Sequence, residues 1–312
     1  MSPPSNQDAA PTRGRRILEA ALARSPAQPL FLWRAARSLT VLAYHDVTDP
    51  ERFTIQLDHL VESRRPISLS ELDEALDGGG LPRRAVLVTF DDGDPSVLEV
   101  AAPLLAERGV PAVVFVVTDL LGTEAPPWWL EAQALWLGSG HDDPANLVRR
   151  MKRMPDPQRR KVLAELRTAA PSPPPPQGQL RHRDLRELES RGLAIGNHTA
   201  SHPCLPHCDL ATLRQEISTA HECLTSSLGH PPTSFAFPNG DEDLRARPLL
   251  GDLGYRSAFL FDHRLSRWPV VDRLRISRVR VSTGASLDRF KILLSGLHPA
   301  LFHALRLEGR AT

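Results

Sequence analysis

The chain has 312 residues, 41% of them hydrophobic, which is enough for one large barrel-type domain or two ordinary ones around a sizeable core. Its 38 Lys and Arg nearly balance 37 Asp and Glu, and a formal charge of +1 argues against a general binder of nucleic acid or anionic membranes. Three cysteines, Cys204, Cys208 and Cys223, are no disulfide framework, and no apolar run approaches the length of a membrane span.

Residues 1–38 read as an N-terminal tail with one short helix near Ile17 to Arg24. Glu19 and Arg24 interrupt what would have to be the apolar core of a signal peptide. No leader is recognised, so a cytoplasmic location is expected. Thr40-Val-Leu-Ala-Tyr-His45 is the first buried strand, with His45 at its carboxyl end. Phe53, Leu57, Leu60 and Val61 have helical spacing, and a second helix runs over 70–76 with Ser70 as N-cap and Gly78 to Gly80 as its end. Ala85-Val-Leu-Val-Thr-Phe90 is a β-branched apolar run of the kind buried in a parallel sheet. A helix over 95–108, stopped by Gly109, and a strand over 112–117 complete a βαβ unit.

Residues 123–180 break this rhythm. Pro126-Pro-Trp-Trp129 opens the segment, a basic helix-like stretch covers 149–167, and Pro171 to Pro176 closes it. The segment reads as a helical insertion with a stiff spacer. Trp128 and Trp129 are either a sugar-stacking platform or anchors for the insertion. The pattern then resumes, with helices over 183–191 and 209–228 and strands over 193–196, 234–237, 257–261 and 276–281. About seven strand–helix units without an internal repeat predict an α/β fold, a distorted (β/α)7-type barrel over 39–300, followed by a tail at 301–312.

Asp91, Asp92 and Gly93 follow the 85–90 strand directly. Neighbouring side chains leaving a strand end point different ways, so one carboxylate can ligate a metal while the other activates water. Alone, Asp-Asp-Gly is an ordinary solvated turn. A second stretch, His198-Thr-Ala-Ser-His202, changes that reading: one Asp and two spaced His form a ligand set with an open position. The two His share a helical face or lie on a tight loop. His45, Asp91, Asp92, His198 and Asn239 all fall at strand carboxyl ends, where a barrel places its active site.

These stretches resemble the polysaccharide deacetylases, the NodB-homology domain or carbohydrate esterase family four. The resemblance runs from about Val41 to Ser282 and includes Phe235-Ala-Phe-Pro-Asn-Gly240 and Leu274-Arg-Ile-Ser-Arg-Val279. It implies a hydrolase that removes N-acetyl groups from an N-acetylhexosamine-containing poly- or oligosaccharide. It implies Asp92, His198 and His202 as ligands of one divalent ion, zinc first, with cobalt or nickel also fitting. Asp91 is then the general base. The general acid is His45 or His298. The opening Leu42-Ala-Tyr-His45 resembles the circularly permuted branch that contains poly-N-acetylglucosamine deacetylases, which favours His45. Asn239 takes the place of a residue whose backbone N–H faces the oxyanion. Arg278, grouped with Asn239 on the substrate side, also has a charge able to replace an Arg that orients the catalytic Asp where Ala236 now stands. Asp94 stands where an aromatic is common.

Two other classes compete. One is an inactive barrel that only binds glycans. The other is a structural zinc knuckle for nucleic acid built from His198, His202, Cys204, His207 and Cys208. Four-ligand sites use two separated pairs, and the neutral charge is unfavourable, so no nucleic-acid partner is expected.

Overall fold

A computed structural model describes residues 13–308. Its strands are β1 (Ser38–Tyr44), β2 (Arg65–Pro66), β3 (Ala85–Phe90), β4 (Ala112–Val116), β5 (Leu193–Asn197), β6 (Ser234–Ala236), β7 (Ser257–Phe259), β8 (Ser266–Arg267) and β9 (Val279–Arg280). Pairing runs β7-β6-β5-β4-β3-β1, parallel throughout. On its other side β1 pairs in parallel with β9, Leu42 opposite Val279. Just before β9, Ile276 bridges β7: its N–H donates to Ala258 O at 2.9 Å, and Leu260 N–H donates to Ile276 O at 2.8 Å. Residues 276–280 thus act as a seventh strand that joins the two edges of the curled sheet, which is the distorted α/β barrel expected. The short β2 and the antiparallel β8 were not anticipated.

Alternation along the strands sorts the core into two layers. Leu39, Val41, Ala85, Leu87, Val113, Phe115, Ala236, Phe259 and Ile276 fill the barrel interior. Their neighbours Leu42, Tyr44, Val86, Val88, Phe90, Val114 and Val116 face the surrounding helices. Both faces are buried, so these strands are continuous apolar runs rather than alternating ones.

The helices expected from spacing lie at Pro50–Ser63, Leu69–Glu74, Ala102–Glu107 after a π-helical turn, His182–Ser190 and Leu210–Leu228. The N-cap of the second is Ser68, not Ser70. Its side chain accepts from Glu71 N–H while the Glu71 carboxylate accepts from Ser68 N–H, a reciprocal box that starts the helix two residues earlier. The insertion holds three helices, Trp128–Gly138, Pro144–Met151 and Asp156–Ala169, and Pro155 splits the basic stretch in two.

The first 12 residues of the expected N-terminal tail lie outside the described residues; from residue 13 there are two helices, Arg13–Ala23 and Gln28–Ala35. The C-terminal segment expected as a tail from 301 continues the helix Leu297–Glu308 to residue 308.

Candidate active site

β3 ends in the two aspartates. Asp91 N–H donates to Tyr44 O at 2.9 Å, which ties the strand end to β1. The Asp91 side chain turns inward and is 3% exposed. Arg278 grips it with two parallel bonds of 2.6 and 2.8 Å, donates to Leu260 O at 2.8 Å and to Thr89 Oγ1 at 3.1 Å, and is itself fully buried. The guanidinium lies 5.3 Å from the Phe115 ring centroid and 5.7 Å from that of Phe261. Burial is the largest single influence and would raise the Asp91 pKa, but Arg278, through its charge and its hydrogen bonds, acts together with His198 and His45 to outweigh it and hold the carboxyl below its usual range. Arg278 is therefore not on the substrate side. Its side chain is fully engaged in holding Asp91 and has no face left for a ligand.

Asp92 goes the other way because its backbone is left-handed, φ 69°. Its Oδ1 lies 3.5 Å from His198 Nε2 and 3.6 Å from His202 Nε2. The ligand atoms of the three side chains all lie within 4.8 Å of one another. Asp92 Oδ1 is buried without a hydrogen-bond partner. The His198 Nδ1 sits 2.8 Å from Ala236 O; donating there fixes the tautomer and leaves the Nε2 lone pair facing Asp92. Burial lowers the pKa of both imidazoles, so both are neutral donors at neutral pH. Burial, then the neighbouring Asp91, pushes Asp92 up to about 8. A buried orphan oxygen and two neutral nitrogens aimed at one point are what a cation would satisfy. The residues fit the group.

The two His lie on a tight loop, not on one helical face. Thr199 and His202 both have positive φ, 69° and 55°. Asn197 Oδ1 accepts from Thr199 N–H at 2.7 Å and Thr199 Oγ1 accepts from His202 N–H at 3.1 Å. Glu216, from the long helix, accepts from Ser201 N–H and Ser201 Oγ at 2.8 and 2.6 Å. Of the seven non-glycine residues with positive φ among those described, four are Asp92, Thr199, His202 and Asn239. Strain of about 1–3 kcal/mol each is tolerated only where the surroundings over-determine it, and here it gathers at one place.

His45 leaves β1 beside Phe261, ring centroids 5.6 Å apart. Its pKa is pushed down to about 4 by burial, against an upward pull from Asp91. His298 instead lies 2.9 Å from His263 on the C-terminal helix, and the charges that act on it are Arg289, His263 and Arg15, none of them from the aspartate–histidine cluster. Asn239 occupies a left-handed turn, φ 58°, closed by Gly240, where any Cβ would meet Phe261 at 2.2 Å. Asp94 accepts from Ser96 N–H and Oγ at 2.9 and 2.6 Å, so it closes the turn into the following helix.

The zinc-knuckle grouping does not form. The candidate ligand cluster among the described residues contains no cysteine, and His207 faces solvent. Burial raises the Cys204 thiol and pushes Cys208 up to about 12, which keeps both protonated. Trp128 is an anchor: 7% exposed, it donates Nε1–H to His202 O at 2.9 Å and carries Arg159 on its face. Trp129 lies against the His202 ring, centroids 4.5 Å apart. Two charges at the site were missed by sequence reasoning, Lys152 of the insertion and Asp241. The field of Lys152 lowers both Asp92 and Asp241 against the upward pull of burial. Neither residue lies in a recognisable motif.

A barrel with an Asp/His/His cluster and a buried, arginine-held aspartate at its carboxyl end is the framework of a hydrolase. The sequence model of the polysaccharide deacetylase family matches residues 78–258, more than half of the chain, and the chain belongs to that family. It is a hydrolase that deacetylates polysaccharide at amide bonds. The matched stretch holds Asp91, Asp92, His198, His202 and Asn239 but neither His45 nor Arg278. No curated protein matches the chain. Among solved structures it is similar to the deacetylase PplD of Streptococcus pyogenes in complex with acetate, with TM-score 0.60 and 18% identity over 82% of this chain and 98% of that one. It is similar to IcaB from Ammonifex degensii, with TM-score 0.60 and 21% identity over 83% and 96%. It is also similar to the deacetylase domain of BpsB from Bordetella bronchiseptica, with TM-score 0.56 and 19% identity over 79% and 97%. At these identities the likeness establishes the fold.

Proposed function

We propose that this deacetylase is metal-dependent and removes the acetyl group from an N-acetylhexosamine within a poly- or oligosaccharide. The observation that carries the proposal is the convergence of Asp92 Oδ1, His198 Nε2 and His202 Nε2 within 4.8 Å, next to an aspartate held ionised by Arg278. Asp92, His198 and His202 would hold a divalent ion, zinc first, with cobalt or nickel suited to the same donors. When bound, such an ion polarises an amide carbonyl and makes a water acidic.

The chain's own groups do the rest. Asp91 is ionised before substrate arrives and accepts the proton of the attacking water. The Asn239 backbone N–H, presented by its left-handed turn, donates to the oxyanion. His45 starts neutral, takes up the proton that Asp91 has received, and delivers it to the departing amine. An amine leaves poorly unless protonated, so the amide reaction needs this acid.

The test is acetate release from N-acetylated chitooligosaccharides together with metal content. Release should stop on chelation and return with zinc, and Asp91→Asn should keep one equivalent of metal while releasing no acetate. Undiminished release by a metal-free His198→Ala, His202→Ala protein would overturn the proposal.

A further inference from the structure

The N-terminal helical pair is turned inside out. In Arg13–Ala23 the buried residue is Glu19, which accepts from Ser286 Oγ at 3.1 Å and lies 3.6 Å from Arg289. Ile17 and Leu18 on the same helix are 63% and 59% exposed. In Gln28–Ala35 the buried residues are Gln28 and Ala35, while Leu30, Leu32 and Trp33 are 58%, 46% and 52% exposed. A helix stabilised only by its own packing would bury the leucines and expose the acid. Five of the twelve strongly exposed large apolar residues among those described fall within residues 17–33. Clustering of this kind marks a contact surface.

The same stretch is strongly basic, which the near-neutral charge of the whole chain conceals. Between residues 13 and 37 lie Arg13, Arg15, Arg16, Arg24, Arg34 and Arg37, all exposed, against the single acid Glu19, which is buried. The Arg37 guanidinium lies 4.1 Å from the Trp33 ring centroid. The patch continues into a cleft of about 330 Å³ lined by Arg16, Arg52 and Ile55 and by one acid, Asp288, which lies 3.6 Å from Arg24.

We propose that this face docks onto an anionic lipid bilayer. Exposed Leu, Ile and Trp amid arginines are the composition of a helix that lies in the headgroup region. Arginines near a negatively charged leaflet gain attraction that apolar burial alone does not give. A second copy of the chain is disfavoured as occupant, because a symmetric contact would set the same six arginines against each other. Nucleic acid would satisfy the arginines but leave the aliphatic side chains in water. The contact is a surface one: among the described residues no helix is long and apolar enough to cross a membrane. The two helices sit at different heights on the barrel: Gln28–Ala35 leads into the start of β1 at Ser38, at the amino ends of the strands, whereas Glu19 of Arg13–Ala23 meets Ser286, on the segment that follows the carboxyl end of β9.

The experiment is sedimentation of the full chain with phosphatidylcholine vesicles, with and without phosphatidylglycerol, at low and high salt. Binding should require phosphatidylglycerol and weaken with salt. Each of Arg13→Gln, Arg16→Gln and Arg34→Gln should lower partitioning about fivefold. Leu30→Ser with Trp33→Ser should abolish it, with melting temperature and acetate release from a soluble oligomer unchanged. The control Leu137→Ser with Val271→Ser, which removes exposed apolar residues elsewhere, should bind like the parent. Failure to sediment with phosphatidylglycerol vesicles, or undiminished binding by a variant that carries Arg13→Gln, Arg16→Gln and Arg34→Gln together, overturns the proposal. A concentration-dependent dimer in light scattering that Leu30→Ser with Trp33→Ser dissolves would assign the face to a second copy, and overturns it too.

Discussion

Arg278 and Asp91 are 187 residues apart in sequence and meet through two parallel hydrogen bonds of 2.6 and 2.8 Å, both side chains nearly inaccessible to solvent. The pair joins β3 to the strand that closes the barrel. It also sets the ionisation of the carboxylate assigned as base. Fold and chemistry thus depend on one contact.

Arg278→Leu should be costly on both counts. It leaves a buried carboxylate without its counter-charge, which typically costs about 3–5 kcal/mol. The same change lets burial dominate the Asp91 pKa and neutralises the base. Arg278→Lys keeps a charge but loses the two-pronged grip, so it should recover stability better than activity. Denaturant unfolding and acetate release, measured on both variants, check this. Equal loss of both properties in both variants would show that Arg278 is a packing residue only.

Much of this was legible before folding. Runs such as Ala85 to Phe90 are continuous and apolar because both faces are buried, so their strands stand out. The Asp91–Asp92 pair and the His198–His202 spacing are local, and local patterns survive in a sequence. Lys152, Glu216 and Asn197 were not legible, since nothing separates them from other polar residues until the chain brings them to the loop. The short helix near Ile17 was legible, but the second one, Gln28–Ala35, and the packing of the pair were not, for a related reason. Their leucines follow helical spacing, but only tertiary contact through Glu19 decides that the apolar side faces out.

Asp92 gives a pH dependence with a definite sign. Its folded, metal-free pKa is about 8, above the ordinary carboxylate range. The metal-free fold therefore holds a proton that the unfolded chain releases. That contribution to stability is fully present below the ordinary carboxylate pKa and is lost as pH rises through about 8. Metal binding must expel the proton, so affinity should fall roughly tenfold per pH unit below that value. Competition with a chelator at several pH values, together with melting of the metal-free protein, checks both trends. A flat affinity profile would remove Asp92 from the ligand set.

Gly240→Ala should disable the oxyanion turn. The position has φ 76°, and a Cβ would meet Phe261, which also flanks His45, at 2.2 Å. Turnover should drop more than metal content does. Asn239→Ala should be mild by comparison, because the proposed donor is backbone. If Asn239→Ala is the more damaging, the side chain rather than the N–H is what the reaction uses.

The last prediction separates His45 from His298. His45 is under the field of Asp91, Arg278 and His198, whereas His298 pairs with His263 under the fields of Arg289 and Arg15. An amide demands protonation of its leaving group, and an activated acetyl ester does not. His45→Ala should therefore lower the rate on the N-acetylated oligomer by about 10²–10⁴ while costing an activated acetyl ester much less. His298→Ala should change neither rate and should act on stability alone. His45 is neutral at the start of the cycle, because burial pushes its pKa down to about 4. The acid limb of the amide profile should then follow competition between protons and metal at Asp92 rather than titration of His45. Amide-selective loss in His298→Ala, with His45→Ala unaffected, would return the acid to the C-terminal helix and remove the first strand from the reaction.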